Sequence, residues 1–411
     1  MERVILHCDM NNFYASVECK NNPSLRGEYV AVCGNTEERH GIVLAKNQKA
    51  KLKGVKTGQA IWEARLRCPD LIVVPPHYEE YAYYSKKAKE IYYRYTDMVE
   101  SFGLDECWLD VTGSVALFGS GERIAHMIRR TIKRELGLTI SVGVSFNKVF
   151  AKLGSDLKKP DAVTVIRKES FREQIWELPV ENLLGVGRST QKKLKQVGIL
   201  TIGQLAQFPK DFLIRRFGKN GESLWFYANG LESSRVMEHS ERSVIKSIGH
   251  GITTTEDLTE PKQVWRVILE LSQQIAHRLR KNHFAAGGIQ LSVKNQSRFV
   301  TEFQARCPYP RQSALEIARL AYKLFCKRYD WRQPVRAVSI RAISLQPEGQ
   351  AVQFDLFEDN GAAHRLEEID RTVDDLRKRY GDHILRNAVL LQDLKMPKAK
   401  PMTLPSSFGI K

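Results

Sequence analysis

The 411-residue sequence lacks the marks of several protein classes. Its seven cysteines are scattered at Cys8, Cys19, Cys33, Cys68, Cys107, Cys307 and Cys326, with no Cys-x-x-Cys and no Cys/His cluster at zinc-ligand spacing. That argues against a metal-stapled or disulfide-stapled scaffold and fits small buried residues in a reducing cytosol, so a cytoplasmic protein is expected. No apolar run approaches the roughly 20 residues that cross a bilayer, and no membrane association is expected. The opening Met-Glu-Arg-Val-Ile-Leu passes at once into strand-like sequence and is not read as a signal peptide. Negative charge is also in short supply. There are 47 acidic residues against 64 Lys and Arg, a net charge of +17. So basic a chain is expected to meet a polyanion. The surplus is uneven, because Arg235 to Arg341 holds 19 basic and 9 acidic residues. Solubility alone would not require that bias, since mixed charge serves it as well. A hydrophobic content of 42% is enough for ordinary cores, and the length predicts two to four domains.

Against that background one stretch stands out, Ser101-Phe-Gly-Leu-Asp-Glu-Cys-Trp-Leu-Asp110. Leu104, Cys107, Trp108 and Leu109 read as strand, and Gly103 as the turn before it. The strand carries Asp105 and Glu106 at one end. A buried carboxylate needs a cation partner. Far upstream, Asp9 ends the apolar run Val4-Ile-Leu-His-Cys8. Three acids at strand ends in a basic chain point to bound Mg²⁺ and a phosphate-bearing substrate. On the local pattern alone, a surface hairpin with both acids in water is an equal alternative, because adjacent acids are common.

The rest of the chain frames these acids. Asn11 or Asn12 is placed to cap a helix from Phe13 to Cys19, with Tyr14 one turn from Asp9; a core aromatic is the plainer reading of Tyr14. Residues 29–33 and 42–45 read as strands. The segment 46–56 reads as a helix crowded with five lysines and closed by Gly54. Such a run is usually a solvated face, but its nearness to the acids favours phosphate. Helices are predicted over 60–67, 79–97, 122–136 and 146–157, with strands at 71–74, 140–145 and 162–166. This order fits a ferredoxin-like α/β layer with a small insertion. Leu183 to Gly198 reads as a helix-hairpin-helix, with Gly185 and Gly187 shaping a hairpin that exposes backbone N–H groups beside Arg188, Lys192, Lys193 and Lys195. Such a hairpin grips duplex backbone without reading bases; an ordinary helix turn is the alternative. Residues 232–243 read as a linker. A second, basic α/β unit follows, with helices at 261–281 and 311–329 and strands at 245–254, 286–293, 299–305 and 335–345. A mixed-charge helix is predicted over 364–380, and the tail from Lys395 is expected to be disordered.

At this point the chain resembles the Y-family (translesion) DNA polymerases of the bacterial DinB/UmuC type. The residues that carry the resemblance are Asp9-Met-Asn-Asn-Phe-Tyr-Ala-Ser-Val-Glu18, Gly54-Val-Lys-Thr-Gly58, Gly103-Leu-Asp-Glu-Cys-Trp-Leu-Asp110 and Ser141-Val-Gly-Val-Ser-Phe-Asn-Lys-Val-Phe-Ala-Lys152, with Lys158-Lys-Pro160 and Gly185-Val-Gly187. They keep the family's order over residues 1–345. The resemblance implies an α/β (α+β) right-hand polymerase. The palm would be residues 1–10 and 77–166, the fingers 11–76, and the helix-hairpin-helix thumb 167–233. A linker at 234–242, a little finger at 243–345 and a C-terminal extension at 346–411 would follow.

The same resemblance implies the site. Asp9 and Asp105 would bridge two Mg²⁺ ions per active site, Glu106 would hold the catalytic ion beside the primer 3′-hydroxyl, and the Met10 carbonyl would complete the other. One ion would activate the hydroxyl and the other would hold the triphosphate. Tyr14 falls at the steric-gate position, where a ring beneath the sugar collides with a 2′-hydroxyl. Phe13, Tyr14, Gln48, Lys51 and Lys159 would meet the incoming dNTP. Gln48 and Lys51 depart from the family, where Tyr and Arg are frequent; Lys is a point charge rather than a planar fork. Gly103 also stands where serine is frequent. Gly185, Gly187 and Arg188 would touch DNA. Residues 41–45 would roof the base pair loosely, which implies low fidelity, and no exonuclease constellation is present. Gln353-Phe-Asp-Leu-Phe357 resembles the peptide that binds the bacterial sliding clamp, with Gln353 in a polar site and Leu356 and Phe357 in an apolar pocket; a plain edge strand is the alternative. Primer-template DNA, dNTPs and the clamp are the expected partners of a monomer. The rivals are another palm enzyme such as a nucleotide cyclase, a non-catalytic DNA-binding repair protein, and a polymerase dependent on accessory subunits.

Overall fold

The computed structural model describes residues 2–35, 39, 41–238, 244–350, 360–381, 384–391 and 393–397. They form two compact units that divide between Ser243 and Val244, with residues 35–41 counted with the second. In the first unit the strands are β1 (Ile5–Met10), β2 (Val30–Cys33), β3 (Val43–Lys46), β4 (Ile72–Val74), β5 (Val99–Ser101), β6 (Glu106–Asp110), β7 (Ile140–Ser145) and β8 (Val163–Val165). Five of them make one sheet in the order β5-β6-β1-β7-β8. β1 lies at its centre, antiparallel to β6 and to β7.

All six residues of β1 are buried, because helices cover both faces of the sheet. Leu6, Cys8 and Met10 join the core beneath the helices Tyr78–Tyr92 and Gly121–Leu136. The other face is covered by the helix Lys148–Leu157, where Ile5 packs with Trp108 and Ala151. That helix sits close to the strands because Gly143 faces it: a Cβ there would fall 1.9 Å from the Ala151 carbonyl. The period of two along β1 therefore sends Ile5, His7 and Asp9 to the helix-covered side that carries Lys152.

The strands β3-β2-β4 make a smaller sheet. It packs on the helices Gln48–Leu52 and Ile61–Arg67 through Ala31, Val43, Ala50 and Ala64. The lysine-crowded helix is thus shorter than predicted, and Gly54, at φ +87°, follows its end. The tyrosine-rich helix also ends early, at Tyr92. Short helices from Phe171 to Ala228 enclose a third core built on Leu194, Ile202, Leu205 and Leu224. The expected linker is packed in part: Val236 is fully buried and the Met237 N–H meets the Glu100 carboxylate.

The second unit is a four-stranded antiparallel sheet of β9 (Ile248–Leu258), β10 (Phe284–Asn295), β11 (Val300–Arg311) and β12 (Val335–Pro347), ordered β11-β10-β12-β9. The helices Pro261–Lys281 and Ala314–Arg328 cover one face through Leu271, Ile275, Ile317 and Phe325. A helix was expected to begin at Arg311, but β11 runs to that residue through Pro308 and Pro310. β11 is an edge strand, where proline costs no central ladder bond.

The described part of the C-terminal extension packs on this unit. In the helix Asn360–Tyr380, Asp370 accepts the Ala314 N–H (2.7 Å) and so caps the helix Ala314–Arg328 from outside. Arg280 pairs with Asp370 and Asp374. Lys395 was expected in a disordered tail; its carbonyl accepts the Thr255 N–H and its ammonium meets Glu256. The peptide with Gln353, Leu356 and Phe357 lies outside the described residues, as does most of the tail.

Candidate active site

The central acids are set by strand register. Asp9 lies opposite Glu106 across the β1–β6 pair, and His7 opposite Trp108. Cross-strand partners share a face. Asp9 and Glu106 therefore stand side by side, facing the helix Lys148–Leu157. Asp105 comes just before β6, and its carbonyl accepts the Met10 N–H (3.0 Å), which locks the end of β1 to the acidic turn.

Two ammonium groups stand among these carboxylates. The Lys152 Nζ is 2.9 Å from Glu106 Oε2 and 3.7 Å from Asp9 Oδ2. The Lys159 Nζ is 2.6 Å from Asp9 Oδ2. Asp156 touches both, at 3.4 Å from Lys152 and 2.7 Å from Lys159. Lys159 is aimed by its own loop: the Asp161 N–H donates to Asn11 Oδ1 (2.8 Å), while Arg129 and Lys133 hold the Asp161 carboxylate. Asn11 or Asn12 is expected as a helix cap. The Asn11 side chain instead ties this loop to Ser141 on β7, and Asn12, at φ 50°, makes no side-chain cap.

Behind Glu106 stands His7, fully buried, with Nε2 3.4 Å from Glu106 Oε2 and Nδ1 2.9 Å from Ser155 Oγ. Burial pulls the His7 imidazole down to about 4, so it is neutral at pH 7. Burial, with Lys159 opposing and Glu106 adding repulsion, pushes the Asp9 carboxyl up to about 7. Burial and the Glu106 charge push Asp105 up to about 6. Burial also opposes ionisation of Glu106, yet His7 and the Lys152 ammonium bring its carboxyl below the usual range.

Among the described residues, no three His, Cys, Asp or Glu side chains are grouped closely enough to form a ready-made metal cage. The residues nonetheless fit a divalent cation. They offer hard oxygen donors. Glu106 Oε2 is buried without an aligned hydrogen bond. Burial raises the Asp9 and Asp105 carboxyls, and a divalent cation bound there would offset the cost of ionising them.

Tyr14 lies on the helix Phe13–Asn21 that follows β1. Its ring stacks on Tyr81, with centroids 4.1 Å apart and planes 7° from parallel, and Phe13 packs beside it. Burial and the Asp105 charge raise its phenol to about 12. Gln48 and Lys51 lie on the short helix capped by the Asn47 side chain, with Lys51 exposed. In the segment 180–198 the first helix is only the 3₁₀ turn Val180–Asn182. Gly185 has φ +92°, and Gly187 opens the helix Arg188–Gln196 with nothing within 4 Å of where its Cβ would be. Arg188, Lys192, Lys193 and Lys195 are exposed around it.

Sequence reasoning missed Lys152, His7, Asn11 and Asp156 as members of this cluster. For Lys152 and Asp156 the signal was present: they are four apart on a helix that follows a central strand.

Three family models match the chain. They are the impB/mucB/samB family at residues 8–156, its C-terminal domain at 245–356, and a DNA polymerase-iota thumb domain at 181–232. A DNA polymerase IV of Acetivibrio thermocellus is 50% identical over 393 residues, covering 96% of this chain and 98% of the relative. One from Pelotomaculum thermopropionicum is 38% identical, covering 94% and 95%. A DNA polymerase IV 1 of Bacillus subtilis is 35% identical, covering 99% and 96%. Among solved structures, a Y-family DNA polymerase chimera superposes with a TM-score of 0.74 at 24% identity, covering 84% of this chain and all of that one. The chain belongs to the Y-family of DNA polymerases, the impB/mucB/samB family of DNA-directed, translesion-type enzymes. Within that family, the relatives it matches over nearly their whole length carry the name DNA polymerase IV. Among the described residues no helix is long and apolar enough to cross a membrane.

Proposed function

We propose that the protein extends a primer on damaged template DNA with low fidelity, joining a dNTP to the primer 3′-hydroxyl with release of pyrophosphate. The observation that carries this reading is the placement of Asp9 opposite Glu106, with Asp105 at the same strand end and Lys159 reaching in from its own loop. Asp9, Asp105, Glu106 and the Met10 carbonyl would hold two Mg²⁺ ions. When bound, they supply activation of the 3′-hydroxyl and charge neutralisation on the triphosphate. Lys159 would exchange Asp9 for a phosphate oxygen, and Gln48 and Lys51 would approach the triphosphate from the fingers. Little covalent work is then left to the protein, so holding the reactants in line dominates.

Tyr14 would lie beneath the sugar and reject a 2′-hydroxyl, with Phe13 beside it. The domain assignments follow: palm 1–10 and 77–166, fingers 11–76, thumb 167–233, little finger 243–345. Gly185, Gly187 and Arg188 would grip duplex phosphates. The face of the second unit's sheet opposite its two helices would do the same with Lys294, Arg306 and Arg341. Gln353, Leu356 and Phe357 would dock on a sliding clamp. A primer-extension assay across an abasic template site, with dNTPs and Mg²⁺, tests the activity. A protein that binds primer-template yet never lengthens the primer would overturn it; formation of a cyclic nucleotide would favour the cyclase rival.

A further inference from the structure

The acid cluster contains more than the three carboxylates that a two-cation site needs. Lys152 is anchored on the helix Lys148–Leu157, whose close seat on the sheet is possible because Gly143 has no Cβ. Its side chain is only 15% exposed, so its ammonium has little access to solvent. It lies against Glu106 and Asp9 at distances of 2.9 and 3.7 Å. Those are the oxygens a catalytic cation would take. A divalent cation arriving on those oxygens would meet the ammonium's positive charge a few ångströms away in a mostly buried cluster, so the two compete for the same carboxylates. The fourth carboxylate, Asp156, stands one helical turn beyond Lys152 on the same face, 3.4 Å from its ammonium. At 46% exposure it is the most solvated acid of the group. It also holds Lys159. A short swing of the Lys152 ammonium would thus exchange Glu106 for Asp156 without passing through an unpaired state, which is the costly alternative for a buried charge.

We propose that Lys152 is a resident counter-cation that keeps Asp9 and Glu106 in register while the divalent cation is absent, and that it yields to that cation by moving onto Asp156. Lys152 and Asp156 are positioning residues on this account, and they set cation affinity. The inference rests on the two-cation reading of Asp9, Asp105 and Glu106. The occupied state acts as a competitor, reducing the fraction of protein open to the cation.

The test is Mn²⁺ binding to the full-length protein without DNA or nucleotide, read by the electron paramagnetic resonance of free Mn²⁺, together with melting in EDTA and in Mn²⁺. Lys152→Met is expected to bind Mn²⁺ about tenfold more tightly than wild type, the expected result of removing a competitor that leaves about one site in ten open. It is also expected to melt lower in EDTA, with a larger gain on adding Mn²⁺. Lys152→Arg, which keeps the charge, is expected to bind like wild type. Asp156→Asn is expected to bind more weakly, because the displaced ammonium has lost its acceptor. Asp156→Asn also keeps the test open should Lys152→Met fail to fold. Lys152→Met affinity equal to or weaker than wild type overturns the proposal, as does an unchanged Asp156→Asn. Equal Mn²⁺ binding by wild type and Glu106→Ala would instead overturn the cation reading beneath it, so the two failures are distinguishable.

Discussion

The ring of Tyr14 lies flat on that of Tyr81, with centroids 4.1 Å apart and planes 7° from parallel. Tyr81 is in turn fixed: it is fully buried, and its hydroxyl donates to the buried carboxylate of Glu18. A ring backed in this way is braced against displacement, as the proposed sugar gate requires. Tyr14→Ala is expected to keep dNTP incorporation and raise ribonucleotide incorporation by at least about tenfold. Tyr81→Leu, which removes a stack of about 0.5–1.5 kcal/mol, is expected to relax selectivity by a smaller factor. Single-nucleotide insertion with dNTP and rNTP pairs reads both; unchanged sugar selectivity in Tyr14→Ala would remove the gate assignment.

Loss of any of the three central acids should separate chemistry from binding. Asp9→Ala, Asp105→Ala and Glu106→Ala are each expected to lower primer extension by several orders of magnitude while leaving primer-template affinity in place. Rapid-quench extension and fluorescence anisotropy on the same samples check this. Substantial turnover by Glu106→Ala would be incompatible with its role.

The raised carboxyls predict a pH-dependent cation affinity. Asp9 and Asp105, at about 7 and about 6, must release protons for a cation to bind. Mg²⁺ affinity is therefore expected to rise with pH through 6–7, with proton release that shrinks above about pH 8. The sign for stability is the reverse. Between the ordinary 3.8 and about 7, folded protein holds a proton on Asp9 that unfolded chain has lost, so Asp9's contribution is present at low pH and is lost as pH rises through about 7. Calorimetric titration in two buffers of different ionisation heat measures the released protons; none at pH 6.5 would refute the cluster's protonation.

The proposed duplex contact of the sheet face opposite the second unit's helices predicts a salt effect. Arg306→Ala, Arg341→Ala or Lys294→Ala should each weaken binding to all sequences alike and reduce the slope of log K against log salt by about 1. Binding measured from low to moderate salt on two unrelated duplexes decides it. A sequence-dependent loss would mean base readout instead.

The proposed clamp contact of Gln353–Phe357 can be tested without reference to its conformation. Leu356→Ala combined with Phe357→Ala is expected to abolish stimulation of synthesis by the sliding clamp and to leave clamp-free extension unchanged. Intact stimulation would return Gln353–Phe357 to the plain-strand reading.

Much of the architecture was legible along the chain. The apolar run Val4–Cys8 and the run Cys107–Leu109 marked β1 and β6, and Pro261–Lys281 appeared as a helix with the predicted bounds. What was misplaced has local causes. Pro308 and Pro310 read as a break, but an edge strand tolerates them. Asn11 read as a cap because caps are local, whereas its partners, Ser141 and Asp161, are far away in sequence.

The chain alone marked the candidate groups: acids at strand ends, an aromatic one turn on, lysines close by. Side-chain type and short-range periodicity suffice for that. Only the tertiary structure decided which ammonium meets which carboxylate. Lys152 and Lys159 reach Asp9 because a helix pressed onto Gly143 and a loop held by Asn11 deliver them there. Interactions at 3–4 Å depend on packing between segments more than a hundred residues apart, and no local pattern encodes that distance.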